Sequence, residues 1–241
     1  MPVRRPSTPL HRRLRGVHPG IDDPGRAIAA GDVRVAGRVV TNPLSMVRPG
    51  DSVTHRPPVP LRGEAKLRAA LERFGVDVSG RIALDVGAST GGFTKVLLEL
   101  GASRVYAVDA GHGQLLGSLR QDARVVNLEA TNVGALTERH VPEEVAVITI
   151  DVSYLSLTAA AEQLARIRVA GGADLIGLVK PMFELRRPVA PVDDETVEAA
   201  LAAAVHGVAA AGWRVTDTMR SPVAGRGGAI ESLLHARWPT G

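Results

Sequence analysis

Beyond residue 80 the apolar positions fall into short blocks, separated by glycine-bearing turns and by stretches of helical period. The blocks at 81–86, 104–108, 125–128, 145–150, 174–178 and 213–219 read as strands, because short, mostly apolar runs bounded by turn residues suit strands. Helical patterns lie between them, among them 93–100 and the Ala-rich run 194–211, and a last apolar segment spans 229–234. Strand and helix in alternation predict an α/β, Rossmann-like fold with a mostly parallel, doubly wound sheet. Ligands of such sheets bind beyond the carboxyl ends of the strands, where the strand order reverses.

The N-terminal part follows another rhythm. A helical pattern over 10–30 is broken at His18-Pro19-Gly20 and restarts behind Asp22 and Asp23, which suit a helix N-cap. Residues 31–40 alternate as two short strands around a glycine turn. Residues 1–9, with three prolines and two arginines, are expected to be disordered, and the proline-rich stretch 54–62 to be a linker. The expected organisation is a small α+β module over 1–53, the linker 54–62, and an α/β domain over 63–241.

Charge separates the two parts further. Residues 1–62 carry eleven arginines against four aspartates, a net of +7, whereas the whole chain nets +4, so the remainder is slightly acidic. A basic module on an acidic body suits attachment to a polyanion, above all nucleic acid; a solvated basic arm with no partner has the same composition. Aromatic residues make up only 3% of the chain, which leaves arginine–phosphate contacts rather than base stacking to carry such binding. The absence of cysteine excludes disulfides, zinc–thiolate sites and cysteine nucleophiles. No apolar run approaches the roughly 20 residues of a membrane helix, and no apolar stretch follows the first arginines to make a secretory signal. A cytoplasmic protein without a membrane partner is expected.

The most informative stretch is Asp85-Val86-Gly87-Ala88-Ser89-Thr90-Gly91-Gly92-Phe93-Thr94, where an apolar strand ends in an acid, turns on glycines and enters a helix. Its G-x-x-x-G-G spacing departs from the G-x-G-x-x-G of nicotinamide enzymes, whose helix N-terminus faces a pyrophosphate. S-adenosylmethionine has no phosphate, and Asp85 is placed to attract the positive charges of its methionine half. The second strand ends in Asp109, near the spacing at which an acid hydrogen-bonds ribose hydroxyls. Asp85, Gly87, Ala88, Ser89, Thr90, Gly91, Gly92, Phe93 and Asp109 are therefore the candidate cofactor site, with S-adenosylmethionine as the expected cofactor. A nucleotide-type loop for a different ligand, or one holding none, shares these elements.

The 29 basic residues comprise only 3 lysines, Lys66, Lys95 and Lys180. Lysine can give up its proton in a suitable environment and arginine cannot, so a lysine kept in an arginine background is a candidate for acid–base chemistry. Lys95, early in the helix after the glycine loop, reads as a surface residue. Lys180 and Asp151 each follow a strand, Lys66 starts a helix, and Glu231 lies in the last apolar segment. These four can converge on one pocket, where two cations and two anions would tune a lysine to take a proton from a hydroxyl. The same residues read equally as caps and surface charges.

Several of these runs resemble a known family. Lys66, the run Asp151-Val-Ser-Tyr-Leu-Ser, the run Leu178-Val-Lys180-Pro-Met-Phe-Glu184 and Glu231 resemble the Lys-Asp-Lys-Glu tetrad of FtsJ-like 2′-O-ribose methyltransferases. The run from Asp85 to Thr94, Gly113-Gln-Leu115 after Asp109, and Arg62-Gly63 are similar to the haemolysin-A-like (TlyA-type) ribosomal RNA methyltransferases. The stretch from Arg26 to Arg38, with Asn42-Pro43 and Pro49-Gly-Asp51, is similar to the second half of an S4-type RNA-binding module. The resemblance implies a class I methyltransferase domain behind an S4-like module, ribosomal RNA or a ribosomal subunit as partner, and no metal. It also implies Lys180 as general base with its pKa lowered by Lys66, Asp151 orienting Lys180, and Glu231 positioning Lys66 or the ribose. Arg26, Arg34 and Arg38 are the expected RNA contacts. Departures are the break at His18-Pro19-Gly20, the loop Leu185-Arg186-Arg187-Pro188, and the run Gly228-Ala229-Ile230-Glu231-Ser232. A small-molecule methyltransferase on the same fold, and an RNA-binding protein without turnover, are the competing readings.

Overall fold

The computed structural model describes residues 6–29, 31–55, 61–189, 191 and 193–240. The chain divides into two compact units, Met1–Val59 and Pro60–Gly241. Residues 1–5 of the start expected to be disordered, and 56–60 of the expected linker, lie outside the described residues.

The first unit runs β1 (Thr8–Pro9), α1 (Leu10–Val17), α2 (Pro24–Ala29), β2 (Val33–Val35), β3 (Arg38–Val39), β4 (Met46–Val47) and β5 (Val53–His55). β3, β2 and β5 form an antiparallel sheet, and β1 pairs with β4. Leu10 and Leu14 of α1 pack with Ile28, Val33 and Val47 into a small separate core. The helical pattern does break between α1 and α2, as the Pro-Gly pair demands. Two expectations are corrected. Thr8 and Pro9 are not disordered, because they pair with Val47 and Met46. The expected linker is shorter, since Thr54 and His55 pair with Arg34 and Val33 in β5 and Arg62 already opens a helix.

The second unit contains α3 (Arg62–Phe74), β6 (Ile82–Val86), α4 (Gly92–Glu99), β7 (Arg104–Val108), α5 (Gly117–Arg120), β8 (Val125–Leu128), β9 (Val145–Ile150), α6 (Leu157–Gln163), β10 (Val169–Val179), α7 (Pro181–Glu184), α8 (Asp194–Ala210), β11 (Arg214–Arg220) and β12 (Ser232–Arg237). Its seven strands lie in the order β11-β12-β10-β9-β6-β7-β8. β10, β9, β6, β7 and β8 pair in parallel, whereas β12 runs antiparallel to both β10 and β11. The expected doubly wound sheet is thus present, with an antiparallel pair at one edge. The connection from β11 to β12 is too short for the crossover a parallel return requires.

Side chains alternate across the strands. Leu84, Val86, Ile148, Ile150 and Leu175 enter a core covered by Leu157 of α6 and by Ala204 and Val208 of α8. Ala83, Val147 and Ile176 face the other way, onto Leu67 and Leu71 of α3 and Val96 and Leu97 of α4. The chain leaves β6 for β7 and β8 on one side, then returns to β9 on the other. The strand order reverses there, and the site lies at the ends of β6 and β9.

Candidate active site

The loop after β6 is forced against the end of β9. Gly87 has φ +89°, and a Cβ there would stand 2.2 Å from the carbonyl oxygen of Asp151, so no side chain fits. The Gly87 and Ala88 N–H groups donate to the carbonyl of Val108 at 2.8 and 3.0 Å, fixing the loop to the neighbouring strand. Ser89 also takes a left-handed conformation, φ 48°, which aims its N–H at Asp109 Oδ2, 2.7 Å away. Asp109 Oδ1 accepts the Gly111 N–H at 2.6 Å. Each carboxylate oxygen has lone-pair capacity left for a ligand hydroxyl.

The segment beyond Asp109 is anchored by Glu129, which accepts the Gln114 and Leu115 N–H groups at 2.6 and 3.0 Å and pairs with Arg120 at 2.6 Å. Asn127, those backbone groups and Arg120 hold the Glu129 carboxyl at about 2, well below the usual carboxylate range.

Asp85 corrects an expectation. It is fully buried, and its oxygens accept hydroxyl hydrogens from Thr94 at 2.6 Å and Thr149 at 2.9 Å. Its carboxylate therefore braces the loop from beneath instead of meeting a ligand's positive charge. Burial outweighs the two threonine bonds and pushes its pKa up from 3.8 to about 6. Gly91 is likewise buried, against Leu119.

The other sequence-predicted loop residues, Gly87, Ala88, Ser89, Thr90, Gly92 and Phe93, line one cavity of about 280 Å³. A second cavity of about 550 Å³ is lined by Lys66, Asp151, Lys180 and Glu231 together. Arg62, Gly87, Ser89 and Asp151 belong to both walls, so the two spaces adjoin. The four charged side chains form two ion pairs. Lys66 Nζ lies 2.5 Å from Glu231 Oε2, with both residues buried. Lys180 Nζ lies 2.6 Å from Asp151 Oδ1 and 2.8 Å from Ser153 Oγ. Lys66 is steadied through its helix. Glu64 accepts the Leu61 N–H at 3.0 Å at the start of α3, and its other oxygen holds Lys95 of α4 at 2.9 Å. Lys95 is thus a clamp between α3 and α4 and not a free surface charge.

Residues 60–238 match the profile of the FtsJ-like methyltransferases. The chain belongs to that family. Over 236 residues, 94% of this chain and 87% of the relative, it is 37% identical to the 16S/23S rRNA (cytidine-2′-O)-methyltransferase TlyA of Mycobacterium tuberculosis. It is 36% identical over 216 residues to hemolysin A of Brachyspira hyodysenteriae, covering 86% of this chain and 90% of that one. Among solved structures, one described as a hemolysin from Streptococcus thermophilus superposes with TM-score 0.71 at 30% identity, covering 97% of this chain and 89% of the other. Aeropyrum pernix fibrillarin with bound S-adenosyl-L-methionine shares the fold at TM-score 0.56 and 16% identity, over 95% of this chain and 87% of its own.

As a member of the family the chain is an S-adenosylmethionine-dependent methyltransferase. The residues present fit that cofactor: the glycine-loop cavity has small walls where Gly87 leaves no room for a side chain, and Asp109 keeps acceptor capacity at the next strand end. Sequence reasoning did not assign three residues that this methyltransferase brings to the cavities. Ser153 bonds Lys180, Arg62 stands at both walls, and Gly225 cradles Glu231, where a Cβ would lie 2.3 Å from Glu231 Oε1. The glycine-rich run before Glu231 was the only signal for the last of these.

No helix among the described residues is long and apolar enough to cross a membrane. In the first unit Arg26, Arg34 and Arg38 are all exposed. Pairing of Arg34 with Val39, and of Arg38 with Val35, puts the two arginines on opposite faces of the β2–β3 hairpin.

Proposed function

We propose that this methyltransferase modifies a ribose 2′-hydroxyl of ribosomal RNA, and that the first unit is an S4-like module that grips the RNA. The observation that carries the reading is the pair of lysine–carboxylate contacts in a cavity adjoining the glycine loop. The names of the relatives supply the acceptor: rRNA and a 2′-oxygen. The work would be done in the cytoplasm, where ribosomal RNA is exposed.

Bound S-adenosylmethionine supplies an electrophilic methyl group on a cationic leaving group. Gly87, Ala88, Ser89, Thr90, Gly92, Phe93 and Asp109 would hold it beside the larger cavity. Lys180 Nζ takes the hydroxyl proton as the oxygen attacks. In its neutral form the amine has two N–H groups, which match the acceptors Asp151 Oδ1 and Ser153 Oγ and leave its lone pair for that proton. Lys66, held by Glu231, orients the ribose through its remaining N–H groups. Alignment of hydroxyl and methyl group provides most of the rate, and the route calls on no metal ion.

Nucleoside analysis by mass spectrometry of ribosomal RNA incubated with enzyme and cofactor tests the chemistry. A new 2′-O-methylnucleoside is the expected product. A methyl group on a base, or transfer only to a small molecule, would replace this reading.

A further inference from the structure

Lys180 runs directly into α7, and the last residue of that helix is Glu184. Glu184 lines neither cavity of the site. Its Oε1 accepts the Leu157 N–H at 2.5 Å, and Thr158 Oγ1 stands 3.5 Å from Oε2. These groups open α6, whose first turn leaves backbone N–H groups without helical partners. Ser156 Oγ, the N-cap, satisfies Ala159 at 3.1 Å, and Glu184 supplies the next acceptor from a different segment. The segment so anchored, 151–157, starts with Asp151 and Ser153. The segment that anchors it starts with Lys180. A ring results: Lys180 holds Asp151 and Ser153 on one side, and Glu184 holds Leu157 on the other.

We infer that Glu184 is a positioning residue for methyl transfer, locking the segments that carry Lys180 and Asp151 together so that Lys180 Nζ stays aimed into the cavity. The inference rests on the role proposed for Lys180. Partial burial strengthens the lock, because a hydrogen bond to a carboxylate shielded from water weighs more than an exposed one. The same burial raises the Glu184 carboxyl above its ordinary range, against the opposing pull of the Leu157 and Thr158 contacts. The helix N-terminus beside it favours negative charge there.

The test compares the full-length parent with Glu184→Ala and Glu184→Gln. Gln keeps an acceptor oxygen for Leu157, and Ala removes it. Lys180 reactivity toward acetic anhydride is followed by peptide mass spectrometry across pH, with Lys95 as internal reference. Cofactor affinity and kcat are measured alongside. Glu184→Ala is expected to shift the Lys180 profile but not that of Lys95, and to lower kcat about tenfold or more with cofactor affinity within about twofold. Glu184→Gln is expected to restore both. Should Glu184→Ala fail to fold, Glu184→Asp, too short to reach Leu157, is expected to move the profile in the same direction. A Lys180 profile unchanged by these variants, with only thermal stability lost, would reduce Glu184 to an ordinary cap and overturn the inference. The acylation readout needs no acceptor. A parent that leaves ribosomal RNA unmethylated would therefore sink the proposed function without deciding the question about Glu184.

Discussion

Gly225 has little tolerance for a side chain in the larger cavity. Its N–H donates to the Ala229 carbonyl at 2.7 Å, which closes a tight loop over Glu231. An added methyl group would have to displace the Glu231 carboxylate, and with it the partner of Lys66. Gly225→Ala is expected to lower kcat by about tenfold to a hundredfold, since a displacement near 1 Å costs that much. Cofactor titration should show little change, because the glycine-loop cavity does not include Gly225. Equal losses in both measurements would mean that the loop serves the cofactor.

Asp85 makes a prediction about pH. Its folded pKa, about 6, lies above its ordinary 3.8, so between those values the folded chain holds a proton that the unfolded chain has released. The stability it contributes is fully present below about pH 4 and is lost as pH rises through 6, by on the order of 3 kcal/mol. Asp85→Asn cannot titrate. Its melting temperature relative to the parent should therefore climb between pH 4 and pH 7, and parallel melting curves for the two proteins would contradict the assignment.

At the scale of elements, the parallel strands were legible because their runs are short, mostly apolar and bounded by turn residues. In the final hairpin β11 was legible as a strand, but the antiparallel return of β12 was not. β11 reads Arg-Val-Thr-Asp-Thr-Met-Arg, an edge strand with polar alternation, and the apolar signal that continues it belongs to β12 as far as Arg237. Direction along a strand leaves no periodic trace, so only the short connection betrays the antiparallel return. The site divides in the same way. Lys66, Asp151, Lys180 and Glu231 stood out by residue type and strand-end position. Their pairing depends on contacts between residues far apart in sequence, and so do the burial of Asp85 beneath Thr94 and Thr149 and the hold of Glu184 on α6. In the first unit the register separates Arg34 from Arg38, a distinction invisible in composition. Replacing both with alanine is expected to weaken RNA binding and leave cofactor binding intact. The single replacements should differ, with the residue on the RNA-facing side lowering the slope of log affinity against log salt by about one. Loss of cofactor affinity in the double variant would refute this division of labour.

For the whole molecule, charge and chemistry are kept apart. The basic excess lies in residues 1–62, while the lysines, the paired carboxylates and the glycine loop belong to the second unit. In this account the first unit supplies salt-dependent affinity and the second supplies the reaction. The most direct test of the central claim is methyl transfer from radiolabelled S-adenosylmethionine to separated, unmodified ribosomal subunits and to naked ribosomal RNA, with Lys180→Ala alongside. The account predicts label in an RNA fraction with the parent enzyme, and none with the variant despite undiminished cofactor binding. Normal label with Lys180→Ala, or cofactor binding by the parent with no label in any RNA fraction, would contradict it.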